Sequence, residues 1–315
     1  MVSRDRGQIM LVGAVAIAFI LLGLAAIYTT QLSARPATTG SVGDQSAEAT
    51  ELNREARRNV RAIALRVNHD RRYYADRSAL RDRIRDETTD YSELMVETYA
   101  AERGTMVNVS ADSPAAIGTR TTLYNDSTLT DGGSTTWQPA TDARIGWFVL
   151  NLNVTAMDRA DPFVVEIEDR TGNDTTYTFT RNATGTSVVT VSTSSETGAL
   201  GGQVTCNPGG NRSLVDFTTG ESFTSSCEFG PDINDLEGPY TVEFRNGDNA
   251  VGKFSIVTDA SESDWATYNG LGTCPSAGSE PCNTYAAWYV TATARYESGQ
   301  LSYNNTQNTT VYEGA

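Results

Sequence analysis

The chain has 315 residues, with 24 basic and 39 acidic side chains, one histidine and a formal net charge of -15. That balance argues against nucleic-acid binding as the main role, because such binding rests on neutralising phosphates with Lys and Arg. The length leaves room for a sizeable core in one or two domains.

Residues 7–34 carry no charge, with Arg6 before them and Arg35 after. The apolar heart, Ile9–Tyr28, is about 20 residues, enough for a helix to span a hydrocarbon core of ~30 Å. Arg4 and Arg6 precede it, opposed only by Asp5, and no basic residue follows until Arg35. Positive charge stays on the cytoplasmic side. The expectation is a cytoplasmic leader at 1–7, a transmembrane helix at 8–30, a spacer at 31–46, and the rest of the chain outside the cell. A cleaved secretory signal is the alternative, with weak small-residue sites at Gly23-Leu24-Ala25 and near Ala34. The length of the apolar run favours an anchor that is kept.

The start Arg4-Asp5-Arg6-Gly7-Gln8, leading directly into the apolar run, resembles the leader of haloarchaeal type IV pilin-like proteins. It is also similar to the Arg-Gly-Gln start of Tad-type pilus-associated proteins. The resemblance implies peptidase cleavage between Gly7 and Gln8, and an apolar helix that packs in a filament core among other pilus subunits.

Pro36–Asp44 reads as a flexible spacer. Leu52, Ala56, Val60, Ile63 and Val67 then recur at helical spacing, which predicts a helix over 47–68. Asn68-His69-Asp70 is a break. A second helix is expected over 75–103, using Leu80, Ile84, Leu94, Met95 and Tyr99, with Gly104 as its stop. Together these make a helical stalk at 47–104. Within it, residues 51–86 are rich in arginine and net positive, in a chain whose overall charge is -15. This stretch reads as a solvated surface laced with pairs such as Arg66–Asp70 and Arg72–Asp76, or as a docking face for anionic headgroups or an acidic subunit.

From residue 105 the pattern is β. Ile145–Ala156 alternates, as do Phe163–Ile167 and Tyr177–Phe179, with a turn at Arg170–Asp174. Ser110–Trp137 is polar and reads as mostly loop. Pro239–Phe244, before Asn246-Gly247 and Phe254–Ile256, looks like a strand pair of an Ig-like surface domain. Trp288–Tyr296 predicts a long strand that pairs with Leu301–Tyr312. The fold class is α+β: a transmembrane helix, a helical stalk, and an antiparallel β-sandwich head at 105–315, as one large domain or two small ones.

Four cysteines, Cys206, Cys227, Cys274 and Cys282, all follow the apolar run. Outside the cell they form disulfides, and proximity favours Cys206–Cys227 and Cys274–Cys282. Asn-x-Ser/Thr sequons occur at Asn108, Asn125, Asn153, Asn173, Asn182, Asn211, Asn304 and Asn308. Lys253 is the only lysine. The acidic, arginine-for-lysine usage resembles proteins of halophilic archaea, whose self-repulsion high salt screens.

Catalytic chemistry has little to work with. His69 is the only histidine, no Gly-x-Ser-x-Gly occurs, and the cysteine spacings do not suit a metal. No cofactor fingerprint is found. The reading is therefore a non-enzymatic surface protein anchored in the membrane, structural or adhesive, with pilus or surface-layer subunits as partners. A secreted glycoprotein or a polysaccharide hydrolase is the alternative.

Overall fold

The computed structural model describes residues 42–181, 189–195, 202–207, 210–224, 227–228, 233, 236–274 and 280–312. The leader, the apolar run, Gly7, Gln8 and Asn182 lie outside these residues. Among the described residues no helix is long and apolar enough to cross a membrane. The chain divides into two units, Met1–Thr50 and Glu51–Ala315. Of the first, only residues 42–50 are described, and they are helical.

In chain order the elements are helices α1 (Val42–His69) and α2 (Arg77–Arg103), then strands β1 (Met106–Thr128), β2 (Trp137–Ala143), β3 (Ile145–Asn153), β4 (Phe163–Glu168), β5 (Asp174–Arg181), β6 (Val189–Ser195), β7 (Gly202–Cys206), β8 (Arg212–Asp216), β9 (Glu221–Ser222), β10 (Cys227–Glu228), β11 (Tyr240–Arg245) and β12 (Val251–Thr258). A short helix α3 (Trp265–Tyr268) precedes β13 (Cys282–Glu297) and β14 (Ser302–Thr310). The strands form an eight-stranded sheet, ordered β10-β9-β8-β3-β12-β1-β13-β14, and a six-stranded sheet, ordered β2-β11-β4-β5-β6-β7.

The two sheets meet through aromatic side chains. Phe244 of β11 lies 5.2 Å from Phe254 of β12, 5.4 Å from Phe163 of β4 and 5.7 Å from Trp137 of β2, ring centre to ring centre. Phe148 of β3 stacks on Phe217 at 4.2 Å, and Phe217 meets Tyr177 of β5 edge-on at 5.0 Å. All of these rings are buried. The alternation Phe148-Leu150-Leu152 explains why β3 turns one face to this layer.

β13 is buried along nearly all of its length, because its sheet is covered on both faces. The second face carries the helices. Ala56, Val60, Ala64 and Val67 of α1, and Leu80 and Ile84 of α2, belong to the same hydrophobic core as the strands. The expected stalk is therefore corrected: from residue 51 the helices are the outer layer of an α/β/β stack, within one unit with the strands. α2 begins at Asp76, whose carboxylate accepts from the Ala79 amide at 2.8 Å, and ends at Gly104 in the left-handed region (φ 63°). Leu94, expected in the core, is 62% exposed. Thr88 and Ser92 take the inward positions, and the Ser92 hydroxyl accepts from the Val109 amide at 2.9 Å.

Three further expectations change. Ser110–Trp137 is not mostly loop: β1 runs to Thr128 and pairs with both β13 and β12. Its buried Thr119, Thr121 and Thr122 fill core positions by hydrogen bonding, to Ala260 O, Asn283 Oδ1 and Phe254 O. The residues flanking Asn246-Gly247 do not form an Ig-like hairpin, since β11 and β12 belong to different sheets. Asn246 is left-handed (φ 55°) and opens a short 3-10 turn. A Cβ on Gly247 would stand 2.1 Å from Leu129 O, so the crossing between sheets needs glycine. β3 ends at Asn153, and Val154–Ala156 is a 3-10 turn.

Phe244→Ala removes the ring shared by both sheets and lowers stability by about 3–5 kcal/mol. Phe223→Ala, at a 62% exposed position, changes it by less than about 0.5 kcal/mol. Denaturant titration of the two variants checks the contrast.

Candidate functional site

The four cysteines pair as Cys206–Cys227 and Cys274–Cys282, with Cα separations of 5.6 and 5.3 Å. Cys206 ends β7 at one rim of the six-stranded sheet, and Cys227 opens β10 at one rim of the eight-stranded sheet. This bond ties the two sheets together at one side of the sandwich. The second joins Cys274 to Cys282, the first residue of β13. Each contributes about 2–3 kcal/mol by restricting the unfolded chain.

Of the sequons, Asn108, Asn125, Asn211, Asn304 and Asn308 are exposed, while Asn153 and Asn173 are half-buried. Asn153 Oδ1 accepts from the Thr155 hydroxyl at 2.8 Å. The Asn173 amide nitrogen donates to the Thr171 hydroxyl.

The densest group of perturbed polar residues lies where α1 ends against the eight-stranded sheet. Sequence reading missed its centre, Arg120, which sits in β1 at 1% exposure. Its guanidinium donates to Asn68 O, to Asp70 O at 2.6 Å and to Arg72 O at 2.7 Å. These carbonyls close α1 and the break after it. The Asn68 carbonyl would otherwise be a buried acceptor without a donor, and those of Asp70 and Arg72 are part-buried. The negative end of the helix dipole stands in for a carboxylate. Burial still pushes the guanidinium below its usual range, although facing tyrosines, Tyr124 first, partly oppose this.

Asn68 extends the contact. Its side chain donates to Ala287 O at 2.8 Å and to the Tyr312 hydroxyl at 3.0 Å, and it accepts from the Ala287 amide at 2.7 Å. In this way it mimics a strand neighbour for β13. Tyr74 exchanges two bonds with the Thr284 hydroxyl, and the Tyr124 hydroxyl donates to Asp70 O at 2.9 Å. Tyr73 donates to the Glu280 carboxylate, and burial, with that bond, raises the Tyr73 phenol above its ordinary range. Arg61 Nε donates to Val311 O at 2.9 Å, drawing the last described residues over α1.

His69 ends α1 at the rim of this group. Its ring stacks on Trp147 at 4.0 Å and lies 3.3 Å from the Tyr312 hydroxyl. Loss of solvent on the stacked face, and then the Arg120 charge, push it down to about 4. The neutral ring serves as a packing surface. Beside it, Glu87 of α2 bridges Arg66 of α1 and Arg83. Glu87 thus replaces Asp70 as the partner expected for Arg66, while Arg72 pairs with Asp70 at 3.4 Å. Asp76 is the cap of α2 rather than a partner for Arg72. The chemistry available here is mechanical: charged and amide groups lock a helix terminus to a sheet.

Trp137, Trp265 and Trp288 are buried, so they form no surface for stacking sugars. In the segment Asn125–Asp131 both carboxylates have protein partners. Asp126 pairs with Arg212, and Asp131 accepts from the Gly133 and Ser134 amides.

Each orphaned buried acceptor costs about 1–3 kcal/mol. Arg120→Met therefore lowers stability by about 1–3 kcal/mol, and Arg120→Lys recovers only part, since a single ammonium nitrogen does not reproduce the spacing of the two guanidinium nitrogens that reach these carbonyls. Equilibrium unfolding of the two variants tests this. For His69 the unfolded chain takes a proton near its ordinary value, whereas the folded chain resists it to about 4. The His69 contribution is thus intact above about pH 6.5 and is lost as the pH falls toward about 4. Between about pH 7 and pH 5, His69→Gln loses less stability than the parent, measured as the shift in urea midpoint.

Residues 3–132 match a family of unknown function (DUF7261), a stretch that takes in the charge-free run, both long helices and β1, and that covers under half of the chain. No curated protein matches, and no solved structure matches.

Proposed function

We propose that the chain is a structural or adhesive protein of the cell surface, fixed in the membrane by residues 8–30 and carrying the α/β/β unit outward. The observation that carries this reading is the pairing of all four cysteines. Such bonds persist in oxidising compartments and are rare in the cytosol. Arg4 and Arg6 ahead of a charge-free run support the same orientation. Five exposed sequons and the acidic balance suit a hydrated outer surface in brine. The function is presentation: the anchor fixes position, and the rigid unit offers its faces to pilus or surface-layer subunits. Cleavage between Gly7 and Gln8 would let the apolar helix enter a filament.

Protease treatment of intact cells making the full chain tests the reading, with intact-mass measurement of the membrane-bound remainder. The expected result is removal of the domain after about residue 35, a remainder that keeps the apolar run, and no free thiol before reduction. A domain that resists protease outside the cell, with Cys206 alkylated by a reagent added to the cytosolic side, would contradict it.

A further inference from the structure

β14 is the outermost strand of the eight-stranded sheet, and its residues Ser302–Thr310 include no charged side chain. In a chain with 63 charged residues this is an unguarded edge. Among the described residues this nine-residue strand pairs on one side only, and an unpaired strand edge is a template for pairing with another chain, which proteins usually blunt with charge, proline or a bulge. None of these lies within β14. What it carries is two sequons.

The register shows where they face. Asn108 of β1 is opposite Arg295 of β13, which is opposite Asn304 of β14. Asn308 is opposite Thr291, and Thr306 lies between the two asparagines opposite Thr293. Residues directly opposite one another share a face, as do residues two apart. Asn108, Asn304 and Asn308 therefore stand on one side of the sheet end. Asn108 is about 10 Å from Asn304 across two strand spacings, and Asn304 is about 13 Å from Asn308 along the strand. The other side of these strands is the buried row Val107, Val109, Ala292, Ala294 and Tyr296.

Asn108, Asn304 and Asn308 are exposed, and no hydrogen bond holds their amide nitrogens among the described residues. Asn308 is oriented by its oxygen, which accepts from the Thr291 hydroxyl at 2.7 Å. The half-buried Asn173, by contrast, has its nitrogen committed to Thr171.

We propose that Asn108, Asn304 and Asn308 carry N-linked glycans that together shield the β14 edge from pairing with a second copy of this chain. The proposal rests on the outward placement argued above. In the modification, each Nδ2 attacks C1 of a phosphate-activated oligosaccharide. The N–C1 bond forms and the C1–O bond breaks. The phosphate leaves with the electron pair, and the amide gives up one proton. The sugars take the place of the missing charges, adding bulk and bound water beside the rim.

Glycopeptide mass spectrometry of the full chain from its own cells, with the thiol state measured on the same sample, is the test. The expected result is sugar on the peptides holding Asn108, Asn304 and Asn308, at least about fivefold more occupied than Asn173. Sugar only at Asn125, Asn153 or Asn211 overturns the proposal. No sugar anywhere with both disulfides formed also overturns it, yet leaves the outward placement standing, whereas no sugar with reduced cysteines overturns both. For the shielding role, Asn304→Gln with Asn308→Gln in the full chain is expected to shift sedimentation to dimers or larger species, while Asn125→Gln does not. A double variant that sediments as the parent does overturns that role.

Discussion

The guanidinium of Arg120 is the constraint on which the arrangement of this protein turns. A helix that stops against a sheet takes its last carbonyls wholly or partly out of water, and each needs a donor. Arg120 meets three of them from inside β1, and Asn68 spends its whole amide on the backbone of β13 and on Tyr312. An arginine buried without a carboxylate is tolerable only because the helix terminus supplies partial negative charge. The position of α1, the path of the chain through Tyr73 and Tyr74, and the docking of α2 beside it all follow from that seal.

The same seal changes what the helices do. A stalk would set a distance between membrane and head, whereas a helical layer sharing one hydrophobic core with the strands adds to the head itself. With the helices on one face and the second sheet on the other, the middle of the large sheet is dry on both sides, and only its far end leaves a polar face open. The Cys206–Cys227 bond closes the opposite rim, where the sheets are joined by short strands.

Periodicity made much of this legible. The helical spacing of Ala56, Val60 and Val67, the alternation through β3, β4 and β5, the pairing of β13 with β14 and both disulfides could be read from the residues alone. β1 could not, because its core positions are threonines held by hydrogen bonds, and threonine carries no apolar signal. Leu94 misled for the converse reason: it is apolar but off the inward face of α2. Arg120 was invisible among so many arginines, since nothing local separates one that is buried from one that is solvated. The sheet to which each strand belongs was equally hidden. Asn246-Gly247 reads as a hairpin from its residues, and only packing decides that the chain crosses between sheets there.

Native-state hydrogen exchange of the full chain tests most directly whether helices and sheets form one body. If Arg120 seals α1 to β1, amides of Ala64, Val67 and Asn68 open with the same free energy as those of Trp288 and Val290 in β13, and they lose protection together as denaturant rises. Helix amides that exchange far faster than the strands, and at lower denaturant, would show a layer merely resting on the sheet and would contradict the account.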